Sequence, residues 1–464
     1  LEVDVSTRTY DFDGLPQHRD SSSPDLLPRG RSQAKKLIEN LAFDATIWGL
    51  PAVLQYAQLS DFVWRRPVEE GERINVFDHR RGLAGPEFSE FRVPNVDTLY
   101  SNGWISLLSG PVELRIPDVG EKYYTVNLFD TFGNASNVGS RTFGGGPGLV
   151  LLCTAQQAEA LPADRYAEVM IMATPIVWAL LRVQVVGTNG VEDADRLRKS
   201  FTLHSSAASG DADKVRQVDS ELVEAQWAEF ARALDAVIEI SGVPAREEGL
   251  AARYRALGIG AGSAPLDPDL RDAAQTGFDN AMDVVRESRS QLGTPLGTGW
   301  TKVEDKGCHG MNFVARAVMN NVGLGANVVE ENASFNAYFD ATGAQLDGRN
   351  GAYELVLSEA PPVRYFWSLT LYIAASGRVY GNAWGRYSVG SESEIHPGPD
   401  GEVRIAIDPM FESRRLAESP HVLPAPAEPF FVVIRNYGPS SRLAEGGWRP
   451  GAITLVHNVA GVET

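Results

Sequence analysis

Pro361-Pro-Val-Arg-Tyr-Phe-Trp-Ser-Leu-Thr-Leu-Tyr-Ile373 is the stretch whose reading decides the fold class. Trp367, Leu369, Leu371 and Ile373 alternate with Phe366, Ser368, Thr370 and Tyr372. A period of two sends successive side chains to opposite faces of a sheet, so this segment reads as a strand with one apolar and one polar-aromatic face. A rigid β scaffold presents a polar ligand site in this way. A second string of the same kind, Val93-Pro-Asn-Val-Asp-Thr-Leu-Tyr-Ser101, stands near the start of the chain's first β region.

Working outward, Val403 to Ile407, Phe430 to Asn436 and Ala452 to Val456 read as further strands of the C-terminal region. Upstream, Val223, Trp227, Phe230, Leu234, Val237 and Ile238 recur at helical spacing, predicting an amphipathic helix over Asp213 to Ile240. Asp267-Pro268 predicts a helix start, with Leu270, Ala274, Phe278, Met282 and Val285 on one face. Before that, Val112 to Pro117, Lys122 to Phe129, Gly148 to Cys153, Val169 to Ala173 and Val177 to Gly187 are β candidates at the short spacing of a sandwich or barrel. Ser32 is placed to cap a first helix running to about Tyr56, with Gly49 and Pro51 expected to bend or interrupt it. The expected organisation is an irregular arm over 1–32, a helix and β domain over 33–204, a helical segment over 205–295 and a second β domain over 296–464. Identity between the two β regions is too weak to read as a repeat, although both fit sandwiches of one kind.

The 464 residues are 43% apolar and 22% charged, which excludes wholesale disorder and allows several cores. The net charge of -18 is spread without long runs, so neither nucleic acid nor anionic lipid is an expected partner. No stretch reads as the roughly 18 uninterrupted apolar residues of a membrane span. The chain opens Leu-Glu-Val-Asp with no basic-then-apolar leader, and its compartment is left open. Cys153 and Cys308 are expected as free thiols. The histidines at 18, 79, 204, 309, 396, 421 and 457 show no metal-ligating spacing, and no metal or cofactor is expected. There is no Gly-x-Ser-x-Gly elbow. Gly144-Gly-Gly146 lacks the Lys-Ser/Thr of a phosphate loop, and Leu257 to Gly262 follows a helical segment instead of a strand, unlike a dinucleotide fingerprint.

Candidate chemistry concentrates in the two strings. Asp97, with Asn95 and Tyr100 beside it, offers a carboxylate, an amide and a phenol suited to proton transfer or to gripping hydroxyl groups. The same residues also suit an Asx turn that satisfies backbone amides after Pro94. Asp130 and Arg141 flank a Gly/Asn-rich loop, where Arg141 either binds an anion or neutralises Asp97 or Asp130. Trp367, Tyr372, Trp384, Arg386 and Tyr387 are candidates to line a groove for flat or sugar-like ligands, with Trp367 also readable as core.

Pro94 to Ser101, Ser109-Gly-Pro-Val112 and Gly139-Ser-Arg-Thr142 resemble the bacterial domain of unknown function 1254. Gly323 to Asn327, Leu346-Asp-Gly348, Phe366 to Tyr372, Arg386-Tyr-Ser388 and Leu423-Pro-Ala-Pro426 resemble its usual partner, domain 1214. The resemblance implies two jelly-roll-like β-sandwich domains with a helical insert, and an oligomer, and it carries no reaction. His421-Val422 and Asn436 to Pro439 depart from the usual pattern. The functional expectation is a cofactor-independent hydrolase or lyase acting on a polar small molecule or glycan in a cleft between the β domains. In it Asp97, Tyr100 and Arg141 are catalytic, while Asn95, Asp130, Tyr372, Trp384, Arg386 and Tyr387 bind substrate. The alternative is a non-catalytic carbohydrate or small-molecule binding protein using the same cleft.

Overall fold

The computed structural model describes residues 26–65, 73–159, 165–187, 189–206, 210–410 and 420–456. Most of the expected N-terminal arm, and His18 and His457, lie outside the described residues. The chain is mainly β, two sandwiches with helices packed on one side.

In the first half, a five-stranded sheet is ordered Phe77–His79, Thr98–Ser106, Ile176–Gln184, Tyr124–Phe129, Ala135–Gly139. It packs on a four-stranded sheet ordered Glu168–Ile171, Gly148–Cys153, Val112–Ile116, Thr202–Ser205. The core between them takes alternate residues of facing strands, such as Val177, Ala179, Leu181 and Val183 against Val112, Leu114, Val150 and Leu152. In the second half, a six-stranded sheet is ordered Thr294–Pro295, Trp300–Lys302, Asn332–Ala337, Phe430–Pro439, Val363–Ile373, Ser388–Gly390. Its partner is ordered Val422–Pro424, Val403–Asp408, Ala352–Leu357, Ile453–Val456. As the alternation predicts, Trp367, Leu369 and Leu371 enter the core with Leu355, Ile405 and Ile407.

The two halves share one topology. From 98–106 and 332–337 onward, each successive strand takes the same place in its sheet, and each four-stranded sheet has one parallel pair, 148–153 with 168–171 and 403–408 with 422–424. Register agrees too. Arg182 lies opposite Thr125 and Tyr100, while Arg435 lies opposite Ser368 and Ser334. Sequence identity does not reveal this repeat, because an inward sheet face demands only apolar alternation and leaves the residue types free.

The first helix, Arg31–Trp64, runs through Pro51 as one element and past the expected end at Tyr56. Gly30, not Ser32, is its N-cap, and no side chain caps it. Gly49 has a packing reason instead of a breaking one, since an added Cβ would meet Leu234 Cδ2 at 2.8 Å. By length and composition this helix is apolar enough to cross a membrane, yet 67% of its most apolar window is buried within the fold. It packs against Arg271–Glu287, Trp227–Ser241 and Phe313–Gly323. The predicted helix over Asp213 to Ile240 is shorter than expected: it begins only at Trp227, and Asp211–Lys214 is a separate 3-10 turn. Asp267 caps the 3-10 turn Pro268–Leu270 that leads into Arg271–Glu287, accepting a hydrogen bond from the Asp269 amide.

Helices cover one end of the five-stranded sheet's outer face, where Trp104, Phe129, Trp178 and Leu180 share a core with them. The other end of that face meets the outer face of the six-stranded sheet. There Tyr123 packs edge-on to Phe366 and Tyr437, with ring centroids 5.5 and 5.3 Å away. The polar-aromatic face of 363–373 is therefore covered by the other half of the chain.

Candidate functional site

The corner at 93–97 begins on an uncommon backbone conformation. Val93, a β-branched residue, has φ 56°, a left-handed value that only surrounding contacts can hold. Those contacts are the Val93 amide to the Gly377 carbonyl at 2.8 Å and the Arg435 guanidinium to the Val93 carbonyl at 2.7 Å. Asn95 then closes an Asx turn, its Oδ1 accepting from the amides of Asp97 and Thr98 at 2.6 and 3.0 Å. Its Nδ2 donates across to Tyr437 Oη at 2.7 Å, and its backbone amide donates to Tyr100 Oη at 2.8 Å.

This corner forms one wall of a pocket of about 70 Å³ between the two sandwiches, lined by Asn95, Tyr100, Arg182, Lys306, Arg435 and Tyr437 among others. Among the described residues no Asp or Glu lines it. Arg182 donates to Asn327 Oδ1 and to the Gly325 carbonyl, and Arg435 donates to Tyr372 Oη and the Val93 carbonyl. Lys306 Nζ donates to Asn332 Oδ1 and Ser334 Oγ, each at 2.8 Å. Two buried guanidiniums and a buried amine are thus held by neutral oxygens, and among the described residues none of the three pairs with a carboxylate. Burial without a counter-ion is costly unless a charge arrives from outside. Burial, with Arg435 and Arg182 nearby, holds the Lys306 amine well below the usual lysine range.

Further donors face the same space. Asn332 lines the pocket at 2% exposure, and its Nδ2 has no hydrogen-bond partner. The phenols of Tyr100 and Tyr437 accept from Asn95, leaving each hydroxyl proton to be given elsewhere. Burial pushes Tyr437 far above the usual tyrosine range, so it stays a donor. Leu292, Val303, Val322 and Leu324 add apolar side chains to the same lining. Phe91 and Leu324 also line a second, larger cleft of about 1100 Å³ outside it.

Residues 74–205 match the family described as protein of unknown function DUF1254, and residues 331–441 match the one described as protein of unknown function DUF1214. The chain belongs to the family that pairs these two domains. Among solved structures, the VPA0106 protein from Vibrio parahaemolyticus is 20% identical with a TM-score of 0.64, over 90% of this chain and 100% of that one, a likeness of fold. An uncharacterized protein from Burkholderia cenocepacia is 11% identical with a TM-score of 0.45, over 92% of this chain and 91% of that one. No curated protein matches the chain.

The DUF1254 domain supplies Asn95, Tyr100 and Arg182, and the DUF1214 domain supplies Asn332, Arg435 and Tyr437. Lys306 comes from the segment between them. Of the residues predicted from sequence, Asn95 and Tyr100 line the pocket, and Tyr372 supports it from behind by accepting from Arg435. Asp97 does not line it: its carboxylate accepts from Ser368 Oγ at 2.5 Å, Ser388 Oγ at 3.0 Å and Asn95 Nδ2 at 3.1 Å. The surrounding protein raises its pKa against the pull of those hydrogen bonds. Asp130 closes its own loop, accepting from the amides of Phe132 and Asn134. Arg141 pairs with the fully buried Glu331 at 2.9 Å, a bond between the halves to which Tyr123 Oη adds another. Trp384, Arg386 and Tyr387 lie together in a different place, a surface groove of about 830 Å³ with Glu392 and Glu394. Cys153 and Cys308 are both free. Among the described residues no cluster of His, Cys, Asp or Glu could hold a metal.

Arg182, Arg435 and Lys306 escaped sequence reading. The first two had a signal, a lone cation inside an otherwise apolar strand, in Leu180-Leu-Arg-Val and again in Val433-Ile-Arg-Asn. Lys306 had none, because its loop is placed by tertiary contacts.

Proposed function

We propose that this protein binds a small organic anion, a carboxylate with a short apolar body, in the pocket between its DUF1254 and DUF1214 domains. The observation that carries this reading is the pair of buried guanidiniums, Arg182 and Arg435, without a carboxylate partner around a pocket that no acid lines among the described residues. Two guanidiniums present the planar donor fork that matches a carboxylate. Tyr100, Tyr437 and the Asn332 amide supply neutral donors, and Leu292, Val303, Val322 and Leu324 take the apolar end. One water needs about 10–15 Å³ of such space, so about 70 Å³ suits an acid of a few heavy atoms and excludes a glycan chain.

Hydrolysis with Asp97 as acid or base has less support, since its carboxylate is engaged by two serines and an amide and does not line the pocket between the sandwiches. The test is thermal unfolding and calorimetry with propionate, and with propionamide as the uncharged shape control. Propionate should bind and raise the melting temperature while propionamide does not. A charge-assisted hydrogen bond is worth about 1.5–3 kcal/mol, so Arg182→Met and Arg435→Met should each weaken binding by about tenfold or more. Tyr437→Phe removes one phenol donor with less disturbance and should weaken it too. Equal responses to acid and amide, or unchanged affinity in all three variants, would refute the reading.

A further inference from the structure

The side chain that an anion-binding role leaves unexplained is Lys306. A third guanidinium or a hydroxyl would serve a carboxylate as well, and at lower cost than an ammonium 3% exposed beside two arginines. Its hydrogen bonding suggests a different use. A neutral amine has two N–H hydrogens and one lone pair, and Lys306 Nζ has two protein acceptors, Asn332 Oδ1 and Ser334 Oγ. Ser334 Oγ in turn donates to Asn332 Oδ1 at 2.7 Å, so its lone pairs remain for the amine. These two acceptors occupy both hydrogens and leave the lone pair to the pocket that Lys306 lines.

We propose that the Lys306 amine attacks the carbonyl carbon of a small oxo acid whose carboxylate is held by Arg182 and Arg435, forming an imine. This rests on the anion-binding reading and adds a substrate class and a reaction to it. The nitrogen lone pair forms the C–N bond while the carbonyl π pair moves to oxygen, which takes up a proton. Loss of both amine hydrogens and the carbonyl oxygen as water then leaves C=N, and no oxidant or reductant enters. Tyr100 or Tyr437, each with a phenol proton to give, stands in the same pocket to relay the proton, giving its own to that oxygen and regaining one from the nitrogen. The low basicity of Lys306 supports the scheme, because a desolvated lysine next to other cations is a nucleophile near neutral pH. With one carboxylate set against two guanidiniums, a net positive charge still faces the amine after the acid binds. An imine so formed withdraws electrons from the bond next to the former carbonyl carbon, the chemistry of a cofactor-free lyase.

The test is reductive trapping on the unmodified full chain, with pyruvate or acetoacetate as the probe, borohydride as the reductant and peptide mass mapping as the readout. Lys306 should carry the reduced adduct at about tenfold or more the level of the exposed Lys35 and Lys36, and excess propionate should suppress it. Labelling confined to surface lysines with both probes, or equal at Lys306 and in heat-unfolded protein, would overturn the proposal. If pyruvate and propionate raise the melting temperature while Lys306 stays unmodified, the imine is refuted and the anion site stands. If Lys306 is labelled but propionate neither competes nor stabilises, the carboxylate-held form of the proposal is refuted together with the anion reading. Lys306→Met should lose trapping, and Lys35→Met, at an exposed position outside the pocket, should leave it unchanged.

Discussion

The Asp97 carboxylate is held by side chains far away in sequence. Asn95 carries the local turn by itself, as its neighbours Asp97 and Thr98 allow. The Asp97 carboxylate instead reaches Ser368 and Ser388, across the boundary between the halves. Burial raises its pKa, so the folded chain still holds the proton at pH values where the unfolded chain, near 3.9, has released it. The folded state then binds more protons than the unfolded one, and stability falls as pH rises through that window. Asp97→Asn removes this titration. Chemical denaturation between pH 3.5 and 7, a range of about half to several units around that value, should find wild type losing stability relative to Asp97→Asn as pH increases. A constant or growing wild-type advantage would contradict the assignment. Tyr372 shows the same burial, its phenol pushed up to about 12, and it serves as a fixed support for Arg435.

At the scale of elements, strands were read more closely than helices. Gly148–Cys153 has the bounds expected from its apolar run, and the 3-10 turn that leads into the later helix starts where Asp267-Pro268 indicates. Pro51 misled because a long buried helix gains more from packing along its length than it loses at one missing hydrogen bond. Close helix contact also sets the sign of a glycine substitution. In an exposed helix, Gly→Ala gains up to about 1 kcal/mol. At Gly277 an added Cβ would lie 2.1 Å from the Glu39 carbonyl oxygen of the first helix, a backbone atom that moves only if the helices part. Overpacking of this kind costs about 1–3 kcal/mol, so Gly277→Ala should destabilise by about that amount in urea unfolding. Gly249→Ala, with nothing within 4 Å, should be neutral or slightly stabilising. A Gly277→Ala protein as stable as wild type would show that the helices are not packed this closely.

For the whole molecule, the decisive contact is between the outer faces of the two large sheets. Glu331, fully buried, accepts from Tyr123 and Arg141 of the other half, and Phe366 and Tyr437 stack with ring centroids 4.2 Å apart under Tyr123. Neither half can open alone without exposing these rings to water and breaking both hydrogen bonds to Glu331. Calorimetric unfolding should therefore show one transition, and Glu331→Ala should lower it. Two resolved transitions in wild type would separate the halves energetically. The sequence by itself determined the β class, the helical insert and the string at 93–101 from which Asn95 and Tyr100 reach the pocket, because alternation, capping and turn chemistry act between near neighbours. Only the tertiary structure decided that the halves repeat one topology, that Arg182 and Arg435 occupy matching places in it, and that the Lys306 amine joins them. A sheet's outer face carries no local rule for its residues; what such a face needs is set by the surface that comes to cover it.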